Sequence, residues 1–232
     1  YDKCIVSSTN KKADYFYSIE ECNKSGSRFT LTAGKKCMDF KVNFFQIHNV
    51  CNLVFAIATL NQIEKNIFLE KNFIESVSLP KGRAKMISKD GKNILIDYAH
   101  NLGGMKAIVS SVANIYNDLI IVYGCGGRRD NSERDKMMKF ACSNSRIVIF
   151  TSDNSRDESF QSILDDSKKD QEYSNLIVEA DREQAIKKGI ATLKENEILL
   201  ILGKGHEEFQ EINGTMKPFN DQRVVEKILW DI

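Results

Sequence analysis

The sequence predicts an α/β protein whose C-terminal part forms a doubly wound, mostly parallel sheet. Short runs of almost continuous apolar residues, such as 119–123 and 197–202, alternate with helical segments and short connections. Strands without polar alternation are typical of parallel sheets that helices cover on both faces. A length of 232 residues corresponds to one domain plus part of another.

The first part of the chain is predicted to be strand-rich and then helical. Residues 37–47 alternate loosely between apolar and polar side chains, and residues 52–64 carry an apolar helical face. We place a domain boundary at about residue 80, beside Pro80, one of only two prolines. Residues 1–80 and residues 81–232 would then belong to two different domains.

The second domain opens with a predicted hairpin, because Asp90-Gly91 is a turn signal between two apolar runs. The predicted strands are 84–88, 93–97, 119–123, 146–150, 176–179 and 197–202. The predicted helices are 103–117, 132–142, 157–168 and 182–194.

Composition excludes several classes of protein. The formal charge of +1 argues against coating a nucleic acid, which requires clustered positive charge. No apolar run approaches the length of a membrane span. The six cysteines form no CxxC pair, which favours structural thiols in a reducing cytoplasm. The chain begins with Tyr1 and lacks a signal pattern, so we expect it to begin inside a longer polypeptide.

Polar and glycine residues are concentrated where four predicted strands end. Ligands of doubly wound sheets bind beyond the carboxyl ends of the strands. The segments are Asp-Tyr-Ala-His at 97–100, Gly-Cys-Gly-Gly-Arg-Arg-Asp at 124–130, Thr-Ser-Asp-Asn-Ser-Arg at 151–156 and Gly-Lys-Gly-His-Glu at 203–207. Solvated loops alone do not readily explain this concentration.

Each segment taken alone has two explanations. The glycines of 124–130 could bring backbone amides to an anion, although the pattern by itself favours a tight turn between strand and helix. Asp153, Asn154 and Arg156 suit a zwitterionic amino acid, but Asp153 could instead cap a helix. Arg129 could bind a carboxylate or lie on the surface, and Glu207 could bind an ammonium or form a polar turn.

In their order, these segments resemble the Mur ligase family, and most closely its diaminopimelate-adding MurE type. The family's DYAH, (F/Y)GCGGxRD, (T/S)DNPR and GKGHE elements are similar to residues 97–100, 123–130, 151–156 and 203–207. Upstream, residues 47–52 resemble the HNxxN stretch that ends the family's central ATPase domain. Gly82-Arg83 resembles the pair that opens its C-terminal, Rossmann-like domain.

The resemblance implies a reaction and its cofactors. ATP, with Mg²⁺, would phosphorylate the D-Glu carboxylate of UDP-MurNAc-L-Ala-D-Glu, and the amine of the incoming amino acid would attack the acyl phosphate. It also implies two sets of binding residues, without a metal ligand and without an assigned catalytic residue. The nucleotide contacts would be Asn49, Asn52, Arg83, Asp97 and His100, and the amino-acid pocket would consist of Arg129, Asp153, Asn154, Arg156, Gly203 and Glu207.

Arg156 favours meso-diaminopimelate over L-lysine as the amino acid, because lysine has no second carboxylate and would leave a buried arginine unpaired. The sequence departs from the family at Ser155, where the family has proline, so L-lysine stays an alternative. The Asp-Asn-Ser-Arg and Gly-Lys-Gly-His-Glu segments argue against a third member of the superfamily, a folylpolyglutamate synthase.

The 232 residues contain no GxxxxGK[ST] phosphate-binding loop. We therefore expect the chain to belong to a longer ligase and not to hydrolyse ATP alone. A hypothesis from another class is a non-catalytic, amino-acid-binding or partner-dependent module. Neither nucleic acid nor a membrane is an expected partner, and the oligomeric state stays open.

Overall fold

The structure is a computed structural model that describes residues 4–64 and 70–231. The chain divides into two compact units, Tyr1–Leu79 and Pro80–Ile232, and each is described separately below. Within the described residues, no helix is both long and apolar enough to cross a membrane.

The first unit contains a four-stranded sheet and two helices. Its strands lie in chain order: β1 (Val6–Ser7), β2 (Tyr15–Asn23), β3 (Gly26–Ala33) and β4 (Lys36–Val42). β1 is parallel to β2, whereas β2, β3 and β4 form antiparallel hairpins. Helix α1 (Ile47–Ile63) buries Val50 and Val54 in a core that contains Phe29 and Phe40, and α2 (Lys71–Glu75) adds Ile74. α1 begins five residues before the predicted helix and therefore includes the whole of the 47–52 segment.

A six-stranded sheet forms the centre of the second unit. Its strands in chain order are β5 (Lys85–Lys89), β6 (Lys92–Asp97), β7 (Asp118–Tyr123), β8 (Ile147–Phe150), β9 (Leu176–Val178) and β10 (Glu197–Leu202). The spatial order is β5-β6-β10-β7-β8-β9, and every pair is parallel except the β5–β6 hairpin at the edge. The predicted doubly wound, mostly parallel sheet is confirmed.

Five helices accompany this sheet, and four of them have side-chain caps. They are α3 (Leu102–Val112), α4 (Arg134–Ser143), α5 (Phe160–Lys168), α6 (Arg182–Thr192) and α7 (Asp221–Trp230). Asn101, Ser159, Asp181 and Asn220 each accept a hydrogen bond from an amide in the first turn of the helix that follows. α3 ends at Val112 rather than at 117, because the chain turns and the Asn117 amide donates to the Asn196 carbonyl at 2.9 Å.

The sequence analysis missed a small hairpin and the last helix. Strands β11 (Phe209–Ile212) and β12 (Thr215–Pro218) form a separate antiparallel pair. Asn213 and Gly214 both have positive φ at its turn, so Asn-Gly was the local signal that could have predicted this hairpin. β12 could not be predicted from apolar periodicity, because all four of its residues are exposed and polar and apolar side chains are mixed.

A fully buried ion pair joins the helices to the strand ends. Arg182, at the start of α6, donates through Nε and Nη2 to both carboxylate oxygens of Asp221, at the start of α7, at 2.8 and 2.9 Å. Its Nη2 also donates to the Leu202 carbonyl at 3.0 Å, where β10 ends. Loss of one partner would leave an uncompensated charge in a site without water access.

We expect Asp221→Asn to lower the free energy of unfolding of the second unit by about 3–5 kcal/mol, because Arg182 loses its counter-charge. Urea unfolding followed by the fluorescence of the single tryptophan, Trp230, measures the change. The control is Glu208→Gln, which removes an exposed ion pair with Arg223 and should cost less than about 1 kcal/mol. Equal stabilities of the two variants would contradict the role of the buried pair.

Candidate functional site

A cavity of about 290 Å³ opens at the carboxyl ends of the parallel strands of the second unit. The structure brings six of the residues with predicted roles to this one cavity: Arg129, Asp153, Asn154, Arg156, Gly203 and Glu207. His100, predicted to lie near the nucleotide, lines the same cavity. The convergence follows from parallel pairing, since β6, β7, β8 and β10 all end at the same edge of the sheet. The roles of these residues towards ligands stay predictions.

The glycines of the 124–130 loop allow two loops to touch. A Cβ atom on Gly124 would lie 2.2 Å from the Thr151 carbonyl oxygen, and one on Gly127 would lie 2.1 Å from the Ser155 carbonyl oxygen. The Gly127 amide donates to the Asn154 carbonyl at 2.9 Å. At these two positions glycine is therefore required for close packing, and the Gly127 amide already has a protein acceptor.

Arg156 is held in place by its backbone and by one side of its guanidinium group. Its φ is 54°, a left-handed conformation that non-glycine residues adopt at a cost and that is often found at functional sites. Nη1 donates to the Gly127 carbonyl at 2.6 Å, and Nε lies 3.4 Å from a carboxylate oxygen of Glu211. Among the described residues Nη2 has no hydrogen-bond partner, so it can bind a ligand carboxylate.

Ser155, which replaces the family's proline, has a structural role that proline could not have. Its amide donates to the Asp153 carbonyl at 3.1 Å, and the residue is buried. Ser155 therefore contributes a backbone hydrogen bond inside the loop, and the next residue, Arg156, lines the cavity.

Asp153 is not a helix cap. The helix that follows, α5, begins at Phe160 and is capped by Ser159, so the alternative explanation of Asp153 is wrong. Instead, the Asp153 carboxylate packs against Gly203, where a Cβ atom would lie 2.4 Å from Oδ2. Gly203 also has a φ of 113°, which a side chain would disfavour, so both space and backbone conformation require glycine there.

The two neighbouring arginines of the 124–130 loop differ in their partners. Arg128 forms an exposed ion pair with Asp157, with Nη2 2.7 Å from Oδ2. Arg129 lines the cavity and, within the part of the chain that the structure describes, its guanidinium group has neither a hydrogen bond nor an ion pair. Arg129 is therefore the arginine of the two that is free to bind an anion.

Two other residues form parts of the cavity wall: Arg134, which the sequence analysis did not single out, and Cys125, which it interpreted as a structural thiol. Arg134 is almost fully buried, and both ends of its guanidinium group bind Glu158, at 2.6 and 2.8 Å. These hydrogen bonds lower the pKa of the Glu158 carboxyl despite its partial burial. Burial raises the pKa of the Cys125 thiol to about 12, so this thiol stays protonated and forms part of the wall.

An aromatic and cationic cluster lies beside the cavity. The Arg83 guanidinium carbon lies 5.1 Å from the centre of the Tyr98 ring, and the rings of His100 and His206 lie 4.8 and 5.4 Å from it. Asp97 is buried, and its carboxylate accepts hydrogen bonds from the amides of Ala84 and Ala99, at 2.7 and 2.8 Å.

The three other residues predicted to contact the nucleotide, Asp97, Asn49 and Asn52, differ in burial and in their hydrogen bonds within the protein. Asp97 shapes the backbone at the end of β6, and any contact with a nucleotide stays a prediction. Asn49 and Asn52 lie one turn apart on α1 of the first unit, with Asn49 buried and Asn52 exposed. Among the described residues, no cluster of three His, Cys, Asp or Glu side chains could hold a metal ion.

The fold and the site define a doubly wound α/β domain with a cavity lined by both guanidinium and carboxylate groups. The family described as Mur ligase, glutamate ligase domain, matches residues 82–205, which is more than half of the chain. The chain belongs to the Mur ligase family.

Its relatives include the UDP-N-acetylmuramoyl-L-alanyl-D-glutamate–2,6-diaminopimelate ligase of Aquifex aeolicus (strain VF5). The two are 37% identical over 213 residues, which are 88% of this chain and 42% of the relative. The ligase of the same name from Clostridium perfringens (strain 13 / Type A) is 32% identical over 98% of this chain and 47% of the relative. The chain thus spans less than half the length of these relatives.

Solved structures of two ligases are similar to most of this chain over less than half of their own length. A structure of a ligase with this name superposes with a TM-score of 0.68 at 29% identity, covering 97% of this chain and 47% of that chain. Folylpolyglutamate synthase from Thermotoga maritima has a TM-score of 0.62 at 21% identity, covering 82% of this chain and 44% of that chain. The latter similarity shows a shared fold only.

We expect Gly127→Ala to lower the free energy of unfolding by about 1–3 kcal/mol, because its methyl group would push the two loops apart. The matched control is Gly103→Ala in α3, where the nearest heavy atom to the new Cβ is Asn101 Oδ1 at 3.7 Å. Alanine should leave that helix unchanged or stabilise it by up to about 1 kcal/mol. Urea unfolding measures both, and a Gly127→Ala protein as stable as the parent would disprove the packing role.

Proposed function

We propose that this chain is the C-terminal part of an ATP-dependent ligase that adds meso-diaminopimelate to UDP-MurNAc-L-Ala-D-Glu during peptidoglycan precursor synthesis in the cytoplasm. In this proposal residues 1–80 are the end of the central ATPase domain, and residues 81–232 are the amino-acid-binding domain. One observation carries the proposal: free guanidinium donors of Arg129 and Arg156 share a cavity with the carboxylates of Asp153 and Glu207.

The charges of the cavity complement one amino-acid end of diaminopimelate. A ligand carboxylate can bind Nη2 of Arg156 and the guanidinium group of Arg129, and the adjacent ammonium can bind Glu207 or Asp153. The ligand's other end, which carries the amine that forms the new bond, is then left to face the acceptor. The contribution of these residues is to bind and orient that amine, which removes much of the entropic cost of the bond-forming step.

The activating chemistry would come from ATP and Mg²⁺, which together supply the phosphoryl group for the D-Glu carboxylate. Arg83 and His100 are proposed to contact the nucleotide from the second unit, and they lie in one cluster around Tyr98. Asn49 and Asn52 are proposed contacts from the first unit. Asp97 is proposed to act through the backbone that it holds.

The same charges select against L-lysine. Its side chain ends in an ammonium without a carboxylate, so Arg156 Nη2 and Arg129 would be desolvated by the ligand without gaining a partner. A site built to pair a polar group rejects an analogue that lacks it more strongly than an apolar pocket rejects a missing methylene.

Arg156→Ala should weaken meso-diaminopimelate binding to the 232-residue chain by about 10- to 100-fold, because a hydrogen bond to a charged group is lost. Titration calorimetry measures this, with L-lysine binding expected to be weak in both proteins. The matched control is Arg128→Ala, whose arginine pairs with Asp157, and it should bind like the parent. In the complete ligase the KM for ATP should stay nearly unchanged; equal losses for ATP and for diaminopimelate would refute the assignment of Arg156.

Ligase activity can be tested in a chimera in which this chain replaces the matching segment of the Aquifex aeolicus relative. With ATP, Mg²⁺ and UDP-MurNAc-L-Ala-D-Glu, we expect ADP release that depends on meso-diaminopimelate and is at least about tenfold slower with L-lysine. Diaminopimelate binding to the chain without turnover of a folded chimera would favour a non-catalytic binding module instead.

A further inference from the structure

Lys204 is a buried lysine directly behind the cavity, in the Gly-Lys-Gly-His-Glu segment. Its side chain is 0% exposed, and all three of its donor positions have an acceptor. Nζ donates to the Phe209 carbonyl at 2.7 Å, to Asn154 Oδ1 at 3.0 Å and to Glu207 Oε2 at 2.7 Å. This one ammonium therefore connects the loop after β8, the loop after β10 and the start of β11.

Asn154 completes the same network. Its Oδ1 also accepts from the Glu211 amide at 3.0 Å, so both lone pairs of that oxygen are used. Its Nδ2 donates to Glu207 Oε2 at 2.8 Å. Oε2 of Glu207 thus receives two donors, whereas Oε1 has no hydrogen-bond partner among the described residues. A carboxylate fixed through one oxygen presents the other oxygen to the cavity that it lines.

The charge of Glu207 depends on the same donors. Burial alone would raise the pKa of its carboxyl, but the hydrogen bonds from Lys204 and Asn154 and the charges of Lys204 and Arg182 bring the pKa below its usual value. The other ionisable groups on the cavity are Tyr98, His100, Cys125, Arg129, Asp130, Glu133, Arg134, Asp153 and Arg156. Stabilising the fold is a weak reason for such a buried ion pair, because desolvation offsets most of the attraction.

We propose that Lys204 is a positioning residue that, together with Asn154, holds Glu207 ionised and in the one orientation that receives the ammonium group of the amino-acid substrate. This inference rests on the proposed function and deepens it. It makes a free ammonium group, in addition to a carboxylate, an obligatory feature of the ligand end held in the cavity. It also divides the Gly-Lys-Gly-His-Glu segment into Glu207, which touches the ligand, and Lys204, which acts through Glu207.

The test is Lys204→Met in the full 232-residue chain, a substitution that keeps the length of the side chain and removes its donors. At pH 7, calorimetry should show meso-diaminopimelate binding weakened by about 10- to 100-fold. The matched control is Lys187→Met, an exposed lysine of α6, which should bind like the parent. Circular dichroism and Trp230 fluorescence establish that each variant is folded.

The pH dependence separates positioning from a merely structural role. A carboxylate binds an ammonium only when ionised, so binding is lost as the pH falls through the carboxyl's pKa. In the parent chain the pKa of Glu207 lies below its usual value, so we expect the contribution of Glu207 to affinity to change little between pH 7 and pH 5. Lys204→Met removes the hydrogen bond and the charge of Lys204, and the Asn154 amide and Arg182 are left to oppose the effect of burial, so the pKa of Glu207 should rise and the defect should grow as the pH falls.

A double variant provides the second test. If Lys204 acts through Glu207, then Lys204→Met combined with Glu207→Gln should bind no more weakly than Glu207→Gln alone. The inference would be overturned if the affinity losses of the two single variants multiplied in the double variant, or if Lys204→Met bound the ligand like the parent. Either result would leave the proposed function intact. Should Lys204→Met fail to fold, Lys204→Gln, which keeps a donor without the charge, should show the same growing defect at low pH. No diaminopimelate binding by the parent chain would instead overturn the proposed function itself.

Discussion

Parallel pairing of β10 between β6 and β7 is the constraint on which the rest of the second unit depends. The register pairs Leu202 with Asp97 and Ile201 with Val122, so the strands end side by side at one edge of the sheet. The 97–100, 124–130 and 203–207 segments follow these three ends, and the 151–156 segment follows β8, which is paired in parallel with β7. The contacts between the loops, such as Gly127 against Ser155, then require glycine because the neighbouring loop leaves no room for a side chain.

Pairing of charges distinguishes the structural cations from those that can bind a ligand. Arg182, Arg134 and Lys204 are buried, and the acceptors around them are protein oxygens. Arg129 and Arg156 retain unused donors at the cavity. A buried cation without a counter-charge is costly, so the first group must be satisfied within the fold. The unused donors of the second group are the basis of the proposal that the cavity binds a ligand with a carboxylate.

Membership of the Mur ligase family gives these charges a chemical context. The relatives are named as ligases that act with 2,6-diaminopimelate, and this chain covers less than half of their length. In the proposed function, this domain holds one substrate and orients its amine. Lys204 and Asn154 hold the Glu207 side chain in one orientation. In the proposed site, less side-chain entropy would therefore be lost on ligand binding than with an exposed, mobile carboxylate.

The sequence by itself determined the alternation of strands and helices after Pro80, the Asp90-Gly91 hairpin and the segments that surround the cavity, because apolar runs and glycine-rich turns are local patterns. It could not show that α5 starts beyond Asp153, that Arg128 faces Asp157 while Arg129 lines the cavity, or that Lys204 is buried. Arg128 and Arg129 are adjacent and of the same type, and they differ in their partners because the fold places different residues beside each side chain. Tertiary structure alone decided which charges are paired within the protein and which remain for a ligand, because that depends on contacts between residues far apart in the chain.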